Sequence, residues 1–473
     1  MLSGGLPVMN DVSISKLGAR LVAVTAFVAA IAVPIGAGVS GAASSGSGCN
    51  LHVLGETRSS TAEANAWNTV FSDFKAQYHC TVTATWEGQF TGVPQLLNEA
   101  NIAHQTVDLV TDTTENFNLA SAGKLMDLTK LATPYVSRFN PGTLQPFTVD
   151  GRLWGVPVEP ETSSVFFYNA SLFSRLGLTA PTTFSELVHD SGVIKSKTKV
   201  QPFVEGGSDT WEWPMWYMAT FAQTSGNKSV QDTASFLEGK YKFTSKASVQ
   251  ALKDLANFSK NGILGESSVG TSENGAIAAF LQGKAAMMFD GTWDLSTFRS
   301  GNPKFKIGVF MFPRVTTTPG VVAQSNGSPT EGLSIPSSIP KKDLPMADQF
   351  LEFVTSSKEA NKIFATVDPI VPTIKGTTSA KDPLSATLSG YLPRTNGWLD
   401  WLWPTNVVTA IETAIEGVMF TNVSPKSAAQ SVQNELNTLR TQQNYTFNFW
   451  SKWSAAQKAQ VEPSKIPKIQ VQS

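Results

Sequence analysis

A chain of 473 residues exceeds what one ordinary hydrophobic core accommodates, so two lobes or domains are expected. Charged residues make up 15%, hydrophobic residues 41%, and the formal net charge is −1. That balance lacks the basic excess with which a nucleic-acid-binding or membrane-surface protein displaces counterions, so neither class of partner is expected.

At the N-terminus, Lys16 and Arg20 precede an apolar run from Leu21 to Ile35, followed by Ser40-Gly41-Ala42-Ala43. This order reads as a secretory signal peptide over residues 1–43, with Met9 as an alternative start. The run is shorter than the ~20 residues a spanning helix needs, and Pro34, Gly36 and Gly38 break it. A Ser/Gly-rich spacer follows at 44–49, and the body after it is expected to be exported and soluble.

Strand and helix signals then alternate, which predicts an α/β architecture. Leu51-His52-Val53-Leu54 reads as a strand ending in Gly55-Glu56-Thr57. Trp67, Val70, Phe71 and Phe74 recur at helical spacing. A second strand opens at Cys80 with Val82 and Ala84, and a second helix carries Val93, Leu96, Leu97 and Ala100. The third strand, Val107 to Val110, ends at Thr111-Asp112. Three such repeats predict a doubly wound sheet whose ligand-facing loops, at the strand carboxyl ends, hold Glu56, Asp112 and Glu115. Cys49 and Cys80 open two strands on either side of one helix. Parallel neighbours place their first residues within bonding reach, so a disulfide is the favoured reading in an oxidising exterior.

Further on, a helix ends at Gly283, a buried strand runs from Ala285 to Phe289, and a turn follows at Asp290-Gly291-Thr292-Trp293. Gly332 to Pro336 reads as a strand before a helix from Pro345 to Thr355. Two C-terminal helices are expected near Val407 to Phe420 and Pro425 to Gln442, with Ser424 capping the second.

From these segments the chain resembles the extracellular solute-binding proteins of the sugar-binding group, the family of maltose-binding protein. The matching runs are Asp150-Gly151-Arg152-Leu153-Trp154-Gly155-Val156-Pro157, Phe166-Phe167-Tyr168-Asn169-Ala170-Ser171-Leu172-Phe173, and Pro181-Thr182-Thr183-Phe184-Ser185-Glu186-Leu187. Gly283-Lys284-Ala285-Ala286-Met287 with Gly291-Thr292-Trp293 is the most specific of them; Phe350 to Thr355 and Gly390-Tyr391-Leu392-Pro393 add two more. The resemblance implies a two-lobed periplasmic-binding-protein type II-like fold, each lobe a mixed sheet flanked by helices, with the ligand cleft at the hinge. Lobe one is expected over 50–159 and 331–370, lobe two over 160–330 and 371–465, and a tail over 466–473. It also implies a monomer without cofactor that captures a carbohydrate, a di- or oligosaccharide, for the membrane permease of an ABC importer. Cys49 has a second reading here, a lipid anchor, because Gly48 suits a lipid-attachment cysteine; Gly46, where a Leu-like residue is usual, argues against it.

A sugar is held by stacking its C–H faces on aromatic rings and by meeting its hydroxyls with carboxylates and amides. The resemblance places Trp293 at a cleft-lining tryptophan and Trp213-Pro214 at a ligand-stacking pair. It places a hydroxyl-binding acid at Glu159 or Glu161, between which the spacing does not choose, and another at Asp112. Glu56 is a weaker candidate that Arg58 can neutralise, and Glu331 reads equally as a hinge group. Trp398 and Arg394 are candidates for a late aromatic loop, in competition with Trp401 and Trp403.

Two alternatives stay open: a non-sugar solute such as a polyamine or metal chelate, and an exported glycosidase. Glu159 and Glu161 lie too close in sequence to flank one glycosidic bond, and no enzyme is expected. There is no phosphate-binding Gly-rich loop, and the four histidines, 52, 79, 104 and 189, lack metal-ligand spacing, so no metal is expected.

Overall fold

The computed structural model describes residues 48–442 apart from 59, 87–92, 113–115, 141, 150–151, 302, 318–325, 330, 368–370, 379–382, 392–396 and 401–402. The expected signal peptide, most of the spacer, Glu115, Arg394, Trp401 and the C-terminal tail lie outside the described residues, as do the side chains of Asp112 and Glu161.

The first repeats fold as their periodicity dictates. Strand Cys49–Gly55 pairs in parallel with Cys80–Trp86 on one side and with Leu109–Asp112 on the other. Between the first two runs helix Thr61–Tyr78, which buries Trp67, Val70, Phe71 and Phe74. The Ser60 side chain caps it by accepting from the Glu63 N–H. Gly332–Ser334 joins antiparallel to the third strand, and Val156–Pro157 closes this five-stranded sheet.

The second sheet is built on Glu161–Asn169, flanked antiparallel by Ile307–Phe310 and by Ala285–Gly291, with Gln201–Val204 parallel to the latter. Ala285–Gly291 is buried at every position, in line with its unbroken apolar sequence. Helix Phe184–Lys197 begins with a capping box between Thr183 and Glu186. The C-terminal helices Thr405–Phe420 and Pro425–Gln442 pack on this lobe against Glu212–Thr224 and Lys246–Lys260. Each sheet has its own apolar core: Leu51, Trp67, Phe74, Phe350 and Ile363 in the first, Phe166, Trp216, Phe289 and Ile415 in the second. The architecture is α/β with two lobes, each a mixed sheet flanked by helices.

Two connecting strands run side by side where the sheets meet. Pro329 pairs with Glu161 in the second sheet, and Gly332 pairs with Pro157 in the first. At the third boundary, expected at residue 370, Val371 packs against the second sheet's apolar cluster and the chain then touches lobe one again. Ile374 bridges to Phe139, the Lys375 N–H donates to the Arg138 carbonyl, and the Asn140 N–H donates to the Thr373 carbonyl. Thr373–Lys375 therefore stays with lobe one, because Ile374 is buried in that lobe's core.

Cys49 and Cys80 are bonded, with Cα atoms 4.5 Å apart and directly paired in the sheet register. That bond engages the sulfur which the lipid-anchor reading required. The bridged residues are 31 apart in sequence, so loop-closure entropy sets a stabilisation of about 3.7 kcal/mol. The double variant Cys49→Ser/Cys80→Ser is expected to lose about that much in chemical denaturation, and reductant should do the same to the wild type. An unchanged midpoint in both would show that the sheet pairing alone holds this corner.

Candidate functional site

The carboxyl ends of the parallel strands point to the region between the lobes, as open α/β sheets require of a ligand site. Lobe one brings Glu56, Trp86 and Asp112 to these ends; lobe two brings Glu205, after Gln201–Val204, and the Asp290-Gly291 turn. Trp154 packs against apolar clusters of both lobes and so marks the junction. The Asn118 side-chain amide crosses it to donate to the Trp403 carbonyl at 3.0 Å.

On the lobe-two side three indoles form a row. Trp293 lies 5.7 Å from Trp211 and 5.9 Å from Trp398, ring centre to ring centre, with tilted planes. Trp293 and Trp211 are half-buried, while Trp398 is buried with its indole N–H lacking a partner among the described residues. Trp293 folds back over Gly291, where a Cβ would stand 2.2 Å from the ring. The glycine of the turn is thus required by close approach, not by backbone twist, since its φ is −102°.

Trp213, expected in the cleft, is fully buried in the lobe-two core instead. Its indole N–H donates to the Gly207 carbonyl and to Glu416 Oε1 at 2.9 Å, and the ring fills the space beside Gly207 that a Cβ would need. Helix Glu212–Thr224 buries Glu212 through Gln223 without a break, so its indoles have no exposed face to share with a ligand.

Behind the indole row lies a bed of acids that the sequence reading did not assemble. Glu205, Glu212, Asp290 and Asp294 are buried and Glu273 is half-buried. The Trp216 indole donates to Glu205 Oε1 at 2.6 Å, and the Gly206 N–H donates to Glu212 Oε2. The Trp293 indole stands beside the carboxyls of both Glu273 and Asp294 and moderates the rise of each. Burial, reinforced by the Asp294 charge, pushes the Glu273 carboxyl up to about 8. Burial likewise lifts Glu205 to about 8 and Asp294 to about 6, and raises Glu212 and Asp290 well above the usual carboxylate range.

On the lobe-one side, Glu159 and Glu331 meet at a buried arginine. Arg58 Nη1 lies 2.7 Å from Glu331 Oε1, 2.9 Å from Glu63 Oε1 and 3.5 Å from Glu159 Oε1. Arg58 meets Glu56 both through its charge and through the backbone, Nε and Nη2 donating to the Glu56 carbonyl, and the guanidinium stacks 4.6 Å over Trp86. Burial alone would lower the arginine's pKa, but the charges of Glu331, Glu63 and Glu159 drive it above its ordinary value. Glu159 and Glu331 come from the two adjacent connecting strands, and Thr373 of the third connection donates to the Glu159 carbonyl at 2.7 Å.

With this geometry in place, the comparisons with known proteins are decisive on family. Residues 58–361, more than half of the chain, match the family model of bacterial extracellular solute-binding proteins. The chain belongs to that family. A relative of this solute-binding protein, the multiple sugar-binding protein of Streptococcus mutans, is 27% identical over 290 residues. That match covers 60% of this chain and 66% of the streptococcal protein, just under two thirds of its length. Among solved structures, a chitin oligosaccharide binding protein superposes with a TM-score of 0.73 at 22% identity, covering 83% of this chain and 99% of its own. The solute-binding protein RafE in complex with raffinose superposes at 0.68 and 20% identity, covering 83% of this chain and all of its own. At such identities these likenesses bear on the fold. No helix among the described residues is long and apolar enough to cross a membrane.

Proposed function

We propose that this solute-binding protein captures an exported or environmental oligosaccharide between its lobes and hands it to the permease of an ABC importer. The observation that carries the reading is the row of Trp211, Trp293 and Trp398 beside buried carboxylates at the strand carboxyl ends. Rings of that kind stack on the C–H faces of successive sugar units, while carboxyls take their hydroxyls. Glu56 and Asp112, at the strand ends of lobe one, and Glu161, at the connection into the second sheet, are the proposed acidic contacts, with Arg394 a further one. Glu159 and Glu331 are assigned to the hinge, since Arg58 already engages them.

The family's solute-binding role and the likeness to a sugar-binding relative support this reading over catalysis. A signal peptide over 1–43 delivers the chain outside the cell, where it acts as a monomer held soluble or at the surface. Ligand docks on one lobe and then bridges both; closure follows only from its higher affinity for the closed state.

A thermal-shift panel of malto-, raffinose-type, chito-, xylo- and cello-oligosaccharides, with polyamines and ferric chelates beside them, tests the proposal. A ligand at 100 times its Kd stabilises the fold by about 2.7 kcal/mol, which is visible as a rise in melting temperature. A rise with one oligosaccharide class is expected. The acid bed favours one second reading, a cationic ligand, and a rise confined to polyamines would replace the sugar with it.

A further inference from the structure

The five acids behind the indole row lack any cationic partner: among the described residues, no lysine, arginine or histidine nitrogen pairs with Glu205, Glu212, Glu273, Asp290 or Asp294. Three of them converge. Glu273, Asp290 and Asp294 each offer a carboxylate oxygen, and the three oxygens all lie within 4.8 Å of one another. Asp290 is fully buried, one of its oxygens accepts from the Gly291 N–H, and the other, Oδ2, has no hydrogen-bond partner among the described residues. Asp294 Oδ2, also buried, has none among them either. Buried carboxylate oxygens are normally met by a partner, so two left open beside a third acid call for one.

We propose that Glu273, Asp290 and Asp294 bind a divalent metal ion, calcium by preference, directly beneath Trp293. Oxygens held at ~2.3–2.6 Å around one calcium stand no further apart than about 5 Å, which is the spacing found. An all-oxygen donor set selects a hard cation over zinc or copper. Glu273 is half-buried, so the ion has a way in from the cleft side. Its backbone N–H is held by Asp209 Oδ2 at 2.7 Å, which fixes the start of helix Glu273–Leu281 at the rim.

The arrangement joins the ion to ligand capture. The strand Ala285–Gly291 supplies Asp290 and the turn supplies Asp294, with Trp293 between them in the chain. An ion drawing these acids together sets the angle of the Trp293 ring. This consequence rests on the proposed sugar site; binding of the ion itself does not.

The experiment is isothermal titration of EDTA-stripped full-length mature protein with calcium chloride at pH 7.5 in the absence of sugar. It is paired with thermal melts in calcium, in magnesium and in EDTA. One calcium per chain with a Kd between micromolar and millimolar, and a higher melting temperature in calcium, are expected. Asp290→Asn/Asp294→Asn should abolish the titration. No heat and no thermal shift at 10 mM calcium would overturn the inference and leave protons as what neutralises these acids. Undiminished calcium binding by the double variant would overturn it too, because the ion would then sit elsewhere. Repeating the oligosaccharide panel with EDTA separates the two readings: sugar binding without calcium binding sinks only the metal site.

Discussion

Replacing Trp293 with alanine is expected to weaken oligosaccharide binding about 30-fold or more while leaving the fold intact. Trp293 is the middle ring of three and touches both Trp211 and Trp398, so its loss breaks the row in two. Central aromatic contacts of this kind cost about 2 kcal/mol or more on truncation, which is roughly a 30-fold change in Kd. The ring is only half-buried, so little core packing goes with it, and the circular dichroism spectrum should be unchanged. Trp213→Ala is the contrasting variant. That ring is fully buried and its N–H pairs with Gly207 and Glu416, so the change should cost about 3–5 kcal/mol of stability. If Trp293→Ala bound as tightly as the wild type, the indole row would have to be read as structure alone.

Arg58→Ala is expected to destabilise the protein by about 3–5 kcal/mol, the usual cost of removing one partner from a buried ionic cluster. Three carboxylates, Glu63, Glu159 and Glu331, would lose the one guanidinium they share. The pH dependence has a definite sign. Glu159 is already pushed well above its ordinary range, first by burial and then by the charges of Glu331 and Glu63, with Arg58 opposing. A carboxyl whose folded pKa is raised keeps its proton when the unfolded chain has lost it. Folding stability therefore falls as pH rises above ~4.3, through the window up to the folded value. Without Arg58 that window widens, so the deficit relative to wild type should grow from pH 4 to pH 8 in urea denaturation. Arg138→Ala, which breaks a half-exposed pair with Glu352, should cost no more than about 1 kcal/mol at any of these pH values. Equal effects of the two substitutions would remove the cluster's special role at the connections.

The parts of the fold carried by local periodicity were legible in the sequence. The apolar run Ala285–Gly291 and the amphipathic spacing of Trp67 to Phe74 each state their own structure within a few residues. The turn Asp290-Gly291-Thr292-Trp293 at the end of that strand was legible as well, and Trp293, which the resemblance singles out, stays a proposed ligand contact. Choosing among Trp211, Trp213 and Trp216 was not possible by the same means. Helix Glu212–Thr224 is buried on all sides, so no polar face tells which indole looks outward, and the one beside Trp293 is the residue just before the helix.

The acid bed was hidden for another reason. Glu205 and Asp290 come together because Val204 pairs with Met288 in parallel strands, and Glu273 arrives on a separate helix. Only the strand register shows that residues so distant in sequence share a site. Arg58 was read as able to neutralise Glu56; the fold adds to that acid three buried ones, Glu63 of the first helix and Glu159 and Glu331 beside two connecting strands.

The central claim, that an oligosaccharide binds on the tryptophan row between the lobes, is tested most directly by tryptophan fluorescence titration of the mature chain. The ligand is the oligosaccharide that gives the largest thermal shift. The account predicts a saturable one-to-one change in emission that Trp293→Ala removes. A saturable change with a polyamine, and none with any oligosaccharide, would contradict it.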